Sequence, residues 1–336
     1  MLVARHWAEH RIRHREGRGP QVTIRRWGWS DESADAAAAK ARERAEAALA
    51  EHLAGRRIGR REGMPGYHGA DGVPIREEIL AEHPECGAVI TRNAYGARCL
   101  NVEDVLFADV DDPEGPDPRL RLYHAGLVIF AVVAMPLLAL TGIMTAATGA
   151  WILGAVLVLI AIWHGMTLAH SLRLRAARQR AQDPVAMREL LEGWIALHPD
   201  WRLRLYRSPA GWRVLATHGP EQPGSAIVSA FFAHLGGDPV YAAMCRKQGC
   251  FRARLTGKPW RMGVTLRPPR GSWPHRTPEA QDRRARFAAA CDAAAPGFAA
   301  CRFVAEVGTA PEHPRCAAVR DLHDRESRAL TDLPLA

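Results

Sequence analysis

The sharpest chemical signal in the chain lies in residues 105–112, VLFADVDD, where an apolar run ends in two carboxylates one residue apart. In an extended strand, side chains two apart share a face, so Asp109 and Asp111 are expected to project together, continuing the face of Val105 and Phe107. Paired carboxylates repel each other. A divalent cation relieves that repulsion, and an all-oxygen donor set suits Mg or Mn, which also hold phosphate oxygens. The competing reading is a solvated acidic turn, because Asp112, Glu114 and Asp117 follow at once.

A second constellation, CRKQGCFRARLTGKPWRMG at residues 245–263, is the electrostatic complement of the first. Arg252 and Arg254 fall on one face of the strand predicted there, with Arg246, Lys247, Lys258 and Arg261 at its ends. Arginine offers a planar fork for phosphate and lysine a point charge, while Trp260 and Phe251 supply rings on which a base can stack. The same cations suit an anionic lipid surface, or ion pairing with the acidic strand. Earlier in the chain, YRSPAGWRVLATH reads as a tight hairpin with its turn at residues 208–211.

Taken together, the strand ending in Asp109-Val110-Asp111, this strand-turn-strand and the later Asp238 resemble the archaeo-eukaryotic primase-polymerase superfamily. The resemblance implies divalent metal at Asp109 and Asp111, with Asp238 as a candidate third ligand. It also implies nucleotide contacts from the SPAGWR turn, which runs from Ser208 to Arg213. Where the family has its strand histidine this chain has Arg213, and His218 lies five residues beyond. His218 is the one histidine singled out for catalysis, and Arg252, Arg254 and Lys258 complete the expected phosphate-binding set. No GxSxG, Walker loop or GxGxxG occurs, so serine-nucleophile chemistry and the common phosphate loops have no support.

The elements that must position these residues include one long apolar stretch. Residues 125–168 contain two uncharged segments of about 18 to 20 residues, each long enough as a helix to cross a hydrocarbon core of roughly 30 Å. Arg119 and Arg121 precede the pair and Arg173, Arg175, Arg178 and Arg180 follow it, which by the positive-inside rule places both flanks in the cytoplasm. The expectation is an integral protein of the cytoplasmic membrane with both termini cytoplasmic. The fold class expected is an α+β cytoplasmic domain interrupted by a two-helix transmembrane hairpin. Its divisions are a basic N-terminal arm (1–29), the first part of the domain (30–123), the hairpin (124–170), the second part (171–310) and a polar tail (311–336). Expected partners are the lipid bilayer and its anionic headgroups, with nucleotide or nucleic acid at the basic face.

Local signals fill in the rest. Ser30 reads as the N-cap of an alanine-rich helix ending at Gly55, residues 74–83 as a short helix, and GAVITRNAYGARCLN as two strands about a turn at 93–96. Further on, Asp183 and Pro184 open a helix, with helices also predicted at 225–235, 239–248 and 278–294 and strands at 251–256 and 302–307. With 45 Lys and Arg against 36 Asp and Glu, the chain carries +9, which favours anionic partners without selecting one. Its seven cysteines lack CxxC pairing, so reduced thiols are expected rather than a disulfide framework or zinc. The first residues have no apolar signal core.

Two functions follow. One is a membrane-tethered, metal-dependent enzyme of nucleotide or nucleic-acid chemistry, which requires Asp109 and Asp238 to meet. The other is a non-catalytic membrane-anchored binding or scaffold protein, whose binding is indifferent to metal and to the paired aspartates.

Overall fold

The computed structural model describes residues 3–15, 17, 21–59, 72–112, 162–172, 182–271 and 273–336. The chain divides into two compact units, one of residues 1–111 and 188–336 and the other of residues 112–187.

At the N-terminus, strands β1 (His6–His14) and β2 (Val22–Ser30) pair antiparallel, where the sequence suggested a basic arm. Helix α1 (Ala34–Leu53) lies directly on this hairpin, burying Ala37, Ala41, Ala45 and Ala48 along one face. Alanine serves closeness here as well as helix propensity. A β-carbon on Gly28 would stand 2.2 Å from the Ala41 backbone nitrogen, so strand and helix backbones touch with nothing between them. The ammonium of Lys40 and guanidinium of Arg44 lie 4.2 and 4.7 Å from the centre of the Trp29 ring, where its π-face attracts cations. Ser33, not Ser30, caps α1 by accepting the Ala36 N–H. The Ser30 hydroxyl accepts from Glu32 N–H in the preceding turn instead.

Two four-stranded antiparallel sheets form the rest of the larger unit. One has the order β3 (Glu78–His83), β4 (Ala88–Arg92), β5 (Arg98–Val102), β9 (Phe251–Arg254). The other runs β10 (Arg302–Val307), β7 (Leu203–Ser208), β8 (Gly211–Ala216), β6 (Phe107–Asp111). The helices are α2 (Pro184–Leu197), α3 (Ala226–Leu235), α4 (Pro239–Gln248), α5 (Pro278–Ala294) and α6 (Pro314–Ser327). Ser225, Asp238 and Thr277 each accept a backbone N–H at the start of a helix.

The edge strands β6 and β9 are joined by side chains in place of a backbone ladder. The hydroxyl of Tyr241, from α4, lies 3.1 Å from the Phe107 carbonyl of β6 and 2.9 Å from the Arg252 carbonyl of β9, and it accepts the Arg252 N–H at 3.2 Å. Arg213 of β8 reaches past β6 to donate to the Arg254 carbonyl at 2.9 Å. These contacts satisfy backbone groups that a sheet edge would otherwise bury unpaired.

Several expectations are corrected. Residues 74–83 have helix-forming side chains, yet 78–83 form β3, because β4 offers a backbone ladder with a bulge between Ile79 and Ala81. Residues 311–336, read as a polar tail, are built into the fold. They contain α6, and Ala336 is buried, with its N–H donating to the Ala299 carbonyl at 3.1 Å.

The fold is mixed α and β, and the two-helix transmembrane hairpin assigned to it is corrected. Among the described residues no helix is long and apolar enough to cross a membrane. Residues 162–172 are helical, and the residues on either side of them lie outside the described residues. Residues 124–161 of the expected hairpin lie outside the described residues. The assignment to the cytoplasmic membrane with both termini cytoplasmic rested on that hairpin and is corrected with it.

The seam gives the first prediction. Tyr241→Phe leaves the Arg252 N–H and the Phe107 carbonyl without their shared partner, at a cost of about 1–3 kcal/mol. Urea denaturation of the variant is expected to show a lower midpoint with an unchanged slope.

Candidate functional site

Strand β6 ends beside β8 in a register that sets Asp109 opposite Arg213 and Asp111 opposite Gly211. Glycine is required there, since a β-carbon would stand 2.0 Å from the Val110 carbonyl oxygen. The Asp109 carboxylate accepts Nε and Nη2 of Arg213 at 2.8 and 3.1 Å, a bidentate fork. Arg213 is buried. Burial opposes its charge, but the Asp109 carboxylate outweighs this and holds the guanidinium protonated.

Asp238 arrives at the same place by its backbone, its N–H donating to the Asp109 carbonyl at 3.1 Å. Its carboxylate caps α4, accepting the Val240 N–H at 2.8 Å. Asp111 is exposed at the strand end. Its carboxyl is pushed up by partial desolvation and by the charges of Asp109 and Asp238, with Lys258 and Arg254 acting against the shift. The structure therefore brings Asp109, Asp111 and Asp238 together, but two of the three carboxylates already have partners. Among the described residues no group of three or more His, Cys, Asp or Glu side chains is arranged to hold a metal.

Facing Asp111 are the cations that follow β9. The Lys258 ammonium is lowered by burial and then by the like charges of Arg254 and Arg261. Arg261 is lowered in turn by burial and by Arg254. Trp260 stands in this group with 61% of its surface exposed, its ring 5.7 Å from that of Tyr95 and 5.6 Å from the Lys258 ammonium. Tyr95 comes from the turn between β4 and β5 and carried no signal in the sequence.

The other candidates are placed elsewhere. Arg252 shares a face with Arg254 but donates to Glu77 at 2.6 Å, on the same oxygen that accepts the Thr91 hydroxyl. Phe251 is fully buried and offers no stacking surface. Ser208 sits at the same sheet end as Asp111, though roughly 10 Å away across two strand spacings, and its hydroxyl accepts the Ala210 N–H. His218 lies past the opposite end of β8, roughly 16 Å along the chain from Arg213. It stacks on Trp201 with centroids 4.1 Å apart, and its Nε2 lies 3.3 Å from Glu221 Oε1. The structure does not bring it to the aspartates.

A further cluster went unnoticed in the sequence. His323 of α6 lies between Asp324 (Nδ1 to Oδ1, 3.0 Å) and Cys301 (Nε2 to Sγ, 3.8 Å), the order of a nucleophile, base and orienting acid. Burial alone would lower His323 and raise Cys301, but their mutual attraction reverses both shifts. Both side chains are wholly buried, so no substrate meets the sulfur. Asp324 also accepts Arg204 Nη2 at 2.8 Å, which ties α6 to β7. Adjacent His and Asp in a chain carry no spacing signal that would have pointed to this arrangement. Comparison with protein-family models, curated proteins and solved structures finds no match for the chain.

The two aspartates are expected to respond oppositely to amidation. Asp109→Asn leaves Arg213 buried without a counter-charge and costs on the order of 3 kcal/mol. Asp111→Asn stabilises the fold at pH 7, because the folded state disfavours the ionised carboxyl, and the gain vanishes below the ordinary carboxylate range, where both states are protonated. Thermal melts from pH 3 to 7 read both effects.

His218 is depressed to about 4 by burial. The unfolded chain then binds a proton that the folded chain refuses, so stability falls as pH drops from about 6.5 to about 4. His218→Phe keeps a ring on Trp201 and is expected to flatten the melting curve over that window.

Proposed function

We propose that the face formed by Arg254, Lys258, Arg261, Trp260 and Tyr95 binds a nucleotide, with the phosphates at the cations and the base on Trp260. The observation that carries this reading is the crowding of Lys258 and Arg261, whose charges burial and the neighbouring Arg254 already disfavour, beside an exposed indole. An anionic ligand relieves the repulsion, and a flat base fits the ring. Asp111 opposes the phosphates at one edge and limits affinity. The reading is of binding without metal-dependent catalysis, since Asp109 is occupied by Arg213 and Asp238 by the α4 cap.

Calorimetric titration of the full chain with ATP, with and without Mn, tests the proposal. Binding is expected without metal and weakens steeply with salt. Lys258→Ala combined with Arg261→Ala weakens it by about tenfold or more. Asp111→Asn tightens it by roughly threefold, the effect of removing one like charge at several ångströms in a solvated site. Binding that needs Mn and disappears in Asp111→Asn would overturn the proposal and restore the carboxylates as metal ligands.

A further inference from the structure

Strand alternation separates a second basic site from the one just described. Cys99 pairs with Arg254, so Arg98 and Leu255 project from the opposite face of the β5–β9 pair. There they line a cavity of about 440 Å³ with Arg92, Arg325 and Arg328, a size suited to a small organic ligand. Four arginines meet two carboxylates, Asp292 and Glu326, which leaves an excess of two positive charges.

The pairing is uneven. Arg92 is neutralised by Asp292 at 2.6 Å. Glu326 serves both Arg98 and Arg325, at 3.6 and 3.5 Å, which is too long for a strong hydrogen bond to either. Arg98 Nε is also buried with no hydrogen-bond partner. Apart from Thr256, the remaining wall is apolar, including Leu255 and Phe298.

Arg328 supplies an independent observation. It ends α6 at φ +57°, the left-handed conformation that helix ends normally assign to glycine, and no other described non-glycine residue has a positive φ. A side chain is kept where glycine would fit without strain, and that side chain lines the cavity.

We propose that this cavity binds a compact organic dianion, its charged groups bridging Arg98, Arg325 and Arg328 and its apolar body resting on Leu255 and Phe298. The ligand supplies the hydrogen bonds that Glu326 is too distant to make. Arg328 donates one N–H to the Pro296 carbonyl of the cavity wall and presents its remaining N–H groups to the ligand.

The test titrates the full chain with phenyl phosphate and, separately, with isophthalate, which distinguish phosphate from carboxylate chemistry. Saturable binding of either probe is expected, weakened about tenfold or more in Arg98→Gln. Arg328→Gly is expected to weaken binding to a similar degree while melting at or above the wild-type temperature, because glycine relieves the left-handed strain. Lys258→Ala with Arg261→Ala, on the other face of the sheet, leaves it unchanged, so this site and the nucleotide site fail independently. The proposal is overturned if the folded wild type binds neither probe, if Arg98→Gln binds as tightly, or if Arg328→Gly destabilises the fold. Loss of binding in the Lys258→Ala/Arg261→Ala variant alone would likewise overturn it.

Discussion

Two sheet edges, β6 and β9, are held together through one hydroxyl and one guanidinium, and the placement of the basic face depends on that junction. An ordinary ladder would commit the edge strands to a single flat sheet; the side-chain bridges from Tyr241 and Arg213 allow two sheets to meet while their backbone groups remain satisfied. Arg213 can bridge only if it stays charged in a buried position, and Asp109 supplies the counter-charge. The carboxylate that looked most like a metal ligand is thus part of the scaffold. Asp111, one pleat farther out, is left facing the cations after β9.

The local signals were legible where they were local. The β7–β8 hairpin, the turn between β4 and β5, and the helices α3, α4 and α5 all follow from a few neighbouring residues. The pairing of Asp109 with Arg213 was not, because those residues are 104 positions apart and only the β6–β8 register joins them. The same limit explains β3, whose helix-forming residues gave way to a partner strand that no window of sequence contains. Likewise Tyr95 reaches Trp260 only because β5 pairs with β9. For α6 the failure has another cause. Its buried face includes His323, Asp324 and Ser327 alongside Val319 and Leu322, so the stripe that marks an inward helix face is half polar and the segment read as a tail.

That polar stripe belongs to a wider pattern in which arginine does the work usually given to apolar side chains. Arg92, Arg204, Arg213 and Arg284 are all buried, and each lies within 4 Å of a carboxylate. Replacing such pairs by well-packed apolar residues is often neutral or stabilising, so their value here is in geometry: a guanidinium with five donors can join strands, helices and loops at fixed angles. Arg204 does this with Glu306, Asp324 and the Tyr206 hydroxyl, while the His323–Cys301 contact fills the space behind.

Because those buried pairs are neutral, they contribute nothing to the excess of +9 in the whole chain. The surplus is carried by the remaining residues, and two parts of it are concentrated on opposite faces of the β3-β4-β5-β9 sheet: Arg254, Lys258 and Arg261 on one, Arg98, Arg325 and Arg328 on the other. A uniform basic surface would spread its charges apart to lower their mutual repulsion. Keeping three cations within reach of one another, twice, beside an exposed indole in one case and a strained helix end in the other, runs against that tendency. Such crowding is stable only where the fold holds it in place, and a bound anion adds to the partial relief that Asp111 and Glu326 supply. The grouping of these cations is thus the feature of the charge distribution that the two proposed anion sites rest on.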